Sequence, residues 1–389
     1  MKFETQAIRT QTETTSQREH STPIFPTSGY VFDSAEQMRA LFAGEEEGNI
    51  YSRYTNPNCL EFEEKMKLLE KMPYAISSSS GMASIFSIFM GILKNGDHLI
   101  SSKAVFGSTF QILDAFLPNY GIQSTFVDAF DEKTWEAAIR PTTKMFYIES
   151  PSNPGLEVYD LSVVKAFCLK HNLIFVIDNC FATPYLQTPA SFGADIVCHS
   201  ATKFIDGQGR VGGGITLCQE EEHFELIKKF QRQTGPTLSP FNAWILSKSL
   251  ETLAVRMEKH CANALEIATA LESHPELNWV KYPGLVSHPN YELAKKQMKL
   301  GGGLIAFEVK GGLERGRAFL DGISMCSVSA NLGDTRSIIT HPASTTHSKL
   351  SEEQRLDSGI TQGMIRLSVG LEHPEDILAD IYQSLEKSK

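Results

Sequence analysis

Asp178 closes the apolar run Phe175-Val176-Ile177-Asp178, and Lys203 closes a second segment that begins Asp195-Ile196-Val197-Cys198 and continues His199-Ser200-Ala201-Thr202. Both runs read as buried strands. Ligand sites of open α/β sheets gather at the carboxyl ends of strands, so an acid and an amine delivered by successive strands face one ligand. Pyridoxal phosphate needs that pair: a lysine amine to hold the aldehyde, and a carboxylate that keeps the pyridine nitrogen protonated so that the ring absorbs electrons. Each residue alone has a plainer reading, the Asp as a strand-end cap and the Lys as a solvated surface charge. The neighbouring residues argue for the pair. Ser200 and Thr202 flank the lysine with hydroxyls, and upstream Ser77-Ser78-Ser79-Ser80-Gly81-Met82 opens a segment with Met82, Ile85, Phe86 and Phe89 at helical spacing. Backbone N–H groups and hydroxyls therefore converge where a phosphate fits, and Gly81 lets the chain approach closely.

Other groups carry more than one reading. Tyr51 and Arg53, in Tyr51-Ser52-Arg53-Tyr54-Thr55-Asn56-Pro57, make a good phosphate clamp because guanidinium offers planar paired donors; a solvated loop with a turn at Asn56-Pro57 fits equally. Asn153 follows the strand Met145 to Ile148 and can donate to a cofactor oxygen, or simply make a turn before Pro154. The glycines of Gly207 to Gly214 precede a strand instead of joining a strand to a helix, so they fail the context of a dinucleotide loop and read as a mobile loop after the lysine. His341 and His347 lack carboxylate or thiolate partners at ligand spacing, which points away from a metal and towards a turn near the site mouth. Arg366 lies inside the apolar run Met364-Ile365-Arg366-Leu367-Ser368-Val369, where a charge is costly unless paired. It reads either as a buried salt bridge or as a clamp for an amino-acid carboxylate.

The elements that must position these residues alternate. From Leu60 onward, short apolar runs (Tyr74 to Ile76, His98 to Ser101, Ser124 to Val127, Met145 to Ile148, Leu173 to Ile177, Asp195 to Cys198, Gly214 to Cys218) are separated by helical stretches. That pattern predicts an α/β fold with a mostly parallel seven-stranded sheet covered on both faces. Residues 1–58, rich in Thr, Ser, Gln, Gly and Pro, read as an extended arm. Residues 59–245 form the sheet domain and 246–389 a smaller α/β domain, the two linked by one long helical stretch from Pro240 to Glu272. The second domain carries strands at Leu304 to Val309, Cys326 to Ser329 and Met364 to Val369, and a last amphipathic helix from Pro374.

With 389 residues, 41% hydrophobic and 21% charged, the chain has ordinary globular composition. A net charge of −10 and the absence of Lys/Arg runs argue against nucleic acid. Seven cysteines without C-x-x-C spacing suit a reducing compartment and argue against a disulfide framework. No apolar stretch is long enough for a bilayer, and the N-terminus has no secretory pattern, so a cytoplasmic protein is expected.

Taken together, Tyr51 to Pro57, Ser80-Gly81-Met82-Ala83, Glu149 to Pro154, Asp178-Asn179, His199 to Lys203, His341 to Ser344 and Ile365 to Glu372 resemble the Cys/Met-metabolism family of pyridoxal-phosphate enzymes, in order along nearly the whole chain. Val105 to Thr109, Asp206 to Arg210 and Thr234 to Trp244 look most like the O-succinylhomoserine sulfhydrylases of that family. The resemblance implies fold type I, with two chains sharing each active site in a homotetramer. It implies that Lys203 binds the cofactor covalently and Asp178 pairs with its ring nitrogen. Gly81, Met82, Ser200 and Thr202 would hold the phosphate with Tyr51 and Arg53 of a neighbouring chain, and Arg366 would bind the substrate carboxylate. Two positions depart from the wider pattern. Phe106 stands where most relatives have a tyrosine over the ring, and it can stack but cannot donate a proton. Asn331 stands where relatives often have serine near the substrate carboxylate. A carboxylate leaving group needs little protonation and a thiol needs more, so Phe106 suits an O-acyl substrate. The implied reaction joins O-succinylhomoserine and sulfide to give homocysteine and succinate, in methionine biosynthesis. The alternatives are an O-acetyl ester, cysteine as sulfur donor, a γ-lyase, or a cofactor-binding protein without turnover. Whether Arg210, Arg232 or another group meets the distal succinyl carboxylate stays open.

Overall fold

The computed structural model describes residues 1–346, 348 and 351–389. His347, one of the two candidate histidines, lies outside them.

Seven strands form the larger sheet: β1 (Tyr74–Ser78), β2 (His98–Ser102), β3 (Gln123–Val127), β4 (Thr143–Glu149), β5 (Ile174–Asp178), β6 (Ile196–Ser200) and β7 (Gly214–Cys218), in the order β1-β7-β6-β5-β4-β2-β3. The run β6-β5-β4-β2-β3 is parallel, and β7 runs antiparallel to both β1 and β6. Phe146, Ile148, Phe175, Ile177 and Val197 bury one face, and Tyr147, Val176, Ile196 and Cys198 bury the other. Apolar residues at consecutive positions are what a sheet covered on both sides requires. Parallel pairing brings the carboxyl ends of β4, β5 and β6 together, with Glu149 opposite Asp178 in register and Asp178 opposite Cys198.

A second sheet, in the order β10-β11-β12-β9-β8, contains β8 (Leu277–Lys281), β9 (Leu304–Val309), β10 (Ser327–Val328), β11 (Ile338–Thr340) and β12 (Met364–Ser368). It packs with the helices Leu253–Glu272 and Pro374–Lys387 around its own core. Two of these strands, β8 and β11, escaped the sequence reading. β8 is half-exposed and β11 has three residues, too few to show a period.

Three expectations are corrected. The stretch from Pro240 to Glu272 is two helices, Pro240–Leu250 and Leu253–Glu272. The carbonyl of Ser249, which would accept the Leu253 N–H in a continuous helix, is taken by the N–H and hydroxyl of Thr252 and by the Arg256 guanidinium. The glycine-rich segment after Lys203 is pinned. Gly207 N–H donates to the Lys203 carbonyl (2.8 Å), Arg210 N–H to Asp206 (2.7 Å) and the Asn242 amide to the Gly212 carbonyl (2.9 Å). The first 58 residues are not extended throughout: they contain α1 (Phe3–Arg9) and α2 (Ala35–Ala43), and α3 (Pro57–Glu70) begins within them. Ala7 is buried, Phe3 meets the edge of Tyr185, and the Trp244 indole N–H donates to the Thr22 carbonyl (2.8 Å). The Thr22 hydroxyl also donates to Glu61, a buried carboxylate 3.4 Å from the buried Lys65 ammonium. This segment therefore packs on its own subunit before it reaches Tyr51.

Candidate active site

A cavity of about 690 Å³ opens at the carboxyl edge of the large sheet, between it and the second sheet. Its floor is the start of α4 (Gly81–Ile92), capped by the Ser80 hydroxyl, which accepts the Ala83 N–H (3.1 Å). A Cβ on Gly81 would lie 2.5 Å from the Ser200 Cβ, so only glycine lets the helix start sit against the end of β6. Met82, Ser200, Thr202 and Phe106 line the same cavity, Phe106 as the residue before α5 (Gly107–Gln111). The Ser200 hydroxyl has no hydrogen-bond partner among the described residues, whereas the Thr202 oxygen accepts the Gly213 N–H (3.1 Å).

Asp178 and Lys203 both reach this space. Burial pushes the Asp178 carboxyl up to about 6, against the Cys180 N–H that it accepts at 2.8 Å and the positive influence of His199 and Lys203. Burial lowers the Lys203 amine below its ordinary range, and the charge of Arg366 adds to the effect. The Lys203 Nζ donates to the Asn331 Oδ1 at 2.7 Å. Arg366 is buried in β12 and also lines the cavity. Its guanidinium donates to the Asn153 Oδ1 (3.0 Å) and to the carbonyls of Ala330 (3.2 Å) and Asn331 (3.3 Å). No carboxylate pairs with it among the described residues, which removes the salt-bridge reading, and burial brings it down to about 10. Asn153 has its oxygen on Arg366 and its amide N–H₂ free of any partner among the described residues.

Tyr51 and Arg53 are not brought to this cavity. Arg53 stacks over the rings of Tyr54 (4.6 Å) and Tyr51 (5.6 Å), donates to the Arg232 carbonyl, and lines a separate narrow cleft with Gln231 and Arg232. Arg210 is spent on Asp206 and Ser249, and Arg232 lies over Tyr54, so neither lines the cavity, whose cations are Lys203 and Arg366. His341 is buried, its ring held by the Ser344 hydroxyl (2.7 Å) and the Gln362 carbonyl (2.6 Å), while Thr346 reaches the cavity. Sequence reasoning missed Glu149 as a wall residue. Its signal was available, since it ends the strand next to that of Asp178. It also missed the contact of Asn331 with the lysine itself, for which a separation of 128 positions leaves no local sign.

Two carboxyls, a lysine of lowered pKa, an arginine without a carboxylate partner and a helix start beside the unspent Ser200 hydroxyl define, on this sheet, a pyridoxal-phosphate enzyme of fold type I. The chain belongs to the Cys/Met metabolism PLP-dependent enzymes, whose family model matches residues 4–386. It is 45% identical over 383 residues to an O-succinylhomoserine sulfhydrylase of Pseudomonas aeruginosa, covering 98% of this chain and 95% of that one. It is 46% identical over 368 residues to an L-methionine gamma-lyase of Porphyromonas gingivalis, covering 94% and 92%. Among solved structures, a putative O-acetylhomoserine (thiol)-lyase from Campylobacter jejuni carrying N'-pyridoxyl-lysine-5'-monophosphate superposes with a TM-score of 0.95 at 34% identity, over 99% of this chain and 100% of that one. The cofactor is pyridoxal phosphate, and the cavity fits it: Ser80, Gly81 and Met82 at the helix start face open space where N–H groups can hold a phosphate, and the Ser200 hydroxyl is unspent. No helix among the described residues is long and apolar enough to cross a membrane.

Proposed function

We propose that the protein replaces the γ-substituent of O-succinyl-L-homoserine with sulfide, giving L-homocysteine and succinate. The observation that carries this reading is Phe106, a ring with no acidic proton, in the wall of the cavity that holds Lys203, Asp178 and Arg366. In this reading Lys203 would hold the cofactor through Nζ, and Asp178 would be the carboxylate that keeps its ring nitrogen protonated. Gly81, Met82, Ser200 and Thr202 would seat the phosphate, and the free Asn153 amide would donate to a ring oxygen. When bound, pyridoxal phosphate supplies an electron sink that makes the Cα and then the Cβ protons of the amino acid removable.

The protein's residues do the rest. Arg366 takes the α-carboxylate on donors that its neighbours leave free, which fixes the Cα–H towards the lysine. Once the substrate amine has displaced it, Lys203, neutral more readily than an exposed lysine, would accept the Cα proton at Nζ, hand it on, and as a free amine again accept the Cβ proton. The Asn331 Oδ1 holds the resulting ammonium in place between transfers. Succinate leaves Cγ as a stable carboxylate and needs no donor, whereas a thiolate leaving group would gain from the phenol that Phe106 lacks.

Tyr51 and Arg53 come from a second chain in this reading, with Tyr51 the remaining phenol near the site, and two such dimers form a tetramer. The second reading is a γ-lyase, favoured by the 46% identity to an L-methionine gamma-lyase. Kinetics on the succinyl and acetyl esters with sulfide and with cysteine, beside methionine alone, separate the two. Homocysteine from the succinyl ester is expected to dominate, and faster breakdown of methionine would sink the proposal.

A further inference from the structure

Glu149 stands in the cavity wall beside Asp178, and the proposed reaction gives it no task. It ends β4 almost fully buried. Its Oε1 accepts the Phe106 N–H at 2.8 Å and the Tyr147 hydroxyl at 3.4 Å. Its Oε2 has no hydrogen-bond partner among the described residues.

We infer that Glu149 works as a neutral carboxylic acid, a positioning residue that fixes Phe106 in the cavity wall while leaving Asp178 the single negative charge behind the cofactor ring. The inference rests on the reading above that Asp178 meets the ring nitrogen. Two carboxyls side by side in a largely buried wall do not readily both ionise, because each charge raises the cost of the other. Asp178 has the stronger claim to the charge. It accepts a backbone N–H, and the positive influence of His199 and Lys203 falls on it. The titratable groups that face Glu149 are Asp178, Tyr147 on the same strand, Cys180 after β5 and Cys198 on β6, and none is cationic. Burial, with the Asp178 charge added, accordingly holds the Glu149 carboxyl well above the usual carboxylate range. Because Oε1 already accepts two donors, the proton sits on Oε2.

An amide has the same shape and the same neutrality: its oxygen accepts the Phe106 N–H, and its N–H₂ replaces the acid proton. Glu149→Gln should therefore preserve what Glu149→Ala destroys. In the holoenzyme, infrared difference spectra of wild type minus Glu149→Gln at neutral pH should show the carbonyl stretch of a protonated carboxyl. Glu149→Gln should keep kcat/KM and the cofactor dissociation constant within about threefold of wild type, and Glu149→Ala should weaken cofactor retention on dialysis by about tenfold through loss of the Phe106 tether. A lost carboxylate band in place of the acid band would overturn the inference, as would a Gln variant as impaired as the Ala variant. If Glu149→Ala does not fold, the spectrum of Glu149→Gln decides alone. That spectrum needs no substrate, so it stands or falls separately from the choice of acyl ester.

Discussion

Arg256 and Arg366 are both buried guanidiniums, both brought down to about 10 by burial, and they spend their donors differently. Arg256 spends its donors on the protein: the carbonyls of Phe204 (2.6 Å), Ile205 (3.2 Å) and Ser249 (2.9 Å), and the Thr252 hydroxyl (3.3 Å). It holds the segment that follows the lysine against the break between two helices. Arg366 spends fewer donors, on one amide and two carbonyls, and faces a cavity. Burial and pKa are alike, so neither tells a structural cation from a binding one. What separates them is the direction of the unspent N–H groups.

The largest expected effect is at Lys203. Lys203→Ala should lower homocysteine formation by about 10²–10⁴, and a variant that kept its turnover would defeat the role given to the amine. Arg366→Met should reduce kcat/KM for the amino acid by about 100-fold, mostly through KM, with little loss in the denaturant midpoint because a costly buried charge disappears with it. Arg256→Met should do the reverse. It leaves the Phe204 and Ile205 carbonyls without donors and takes one of three from Ser249, so unfolding in urea should show a loss of about 2–4 kcal/mol while KM changes by less than about threefold. Equal KM effects from the two variants would erase the distinction.

A fourth test uses pH. The folded-state pKa of Lys203 lies below its ordinary 10.5, so the unfolded chain binds the extra proton and wild-type stability before cofactor binding falls as pH drops below 10.5. Lys203→Met should be more stable than wild type at neutral pH, with the gap closing as pH rises towards 10.5; a gap that widened would reverse the sign. The smallest effect concerns the ring. Phe106→Tyr restores a phenol and should raise methionine breakdown by up to about tenfold relative to ester turnover.

The sheet and the strand-end pair were legible because a two-sided parallel strand writes itself as a continuous apolar run, and its last polar residue marks the edge. Asp178, Lys203 and the start of the helix at Gly81 followed from that rule and share one cavity. Glu149 obeyed the same rule and was overlooked because the turn chemistry after it, Ser150 to Pro154, drew attention to Asn153. Contacts between domains left no trace: Asn331 reaches Lys203, and Asn153 reaches Arg366 across 213 positions, only after both sheets have folded. The helix break at Ser249 was hidden because the group that takes its carbonyl, Arg256, looks like an ordinary helix residue. Tyr51 and Arg53 were singled out by residue type, yet neither lines the cavity within one chain: Arg53 lines a separate cleft, and the part proposed for both rests on a second copy.

A side chain at position 81 would strike Ser200, so the helix start and the strand end meet at the floor of the cavity with nothing to spare. Phe106, Gln111 and Thr346 line the same cavity from short or irregular segments. The floor is thus set by regular secondary structure in direct contact, and part of the wall by segments free of that constraint.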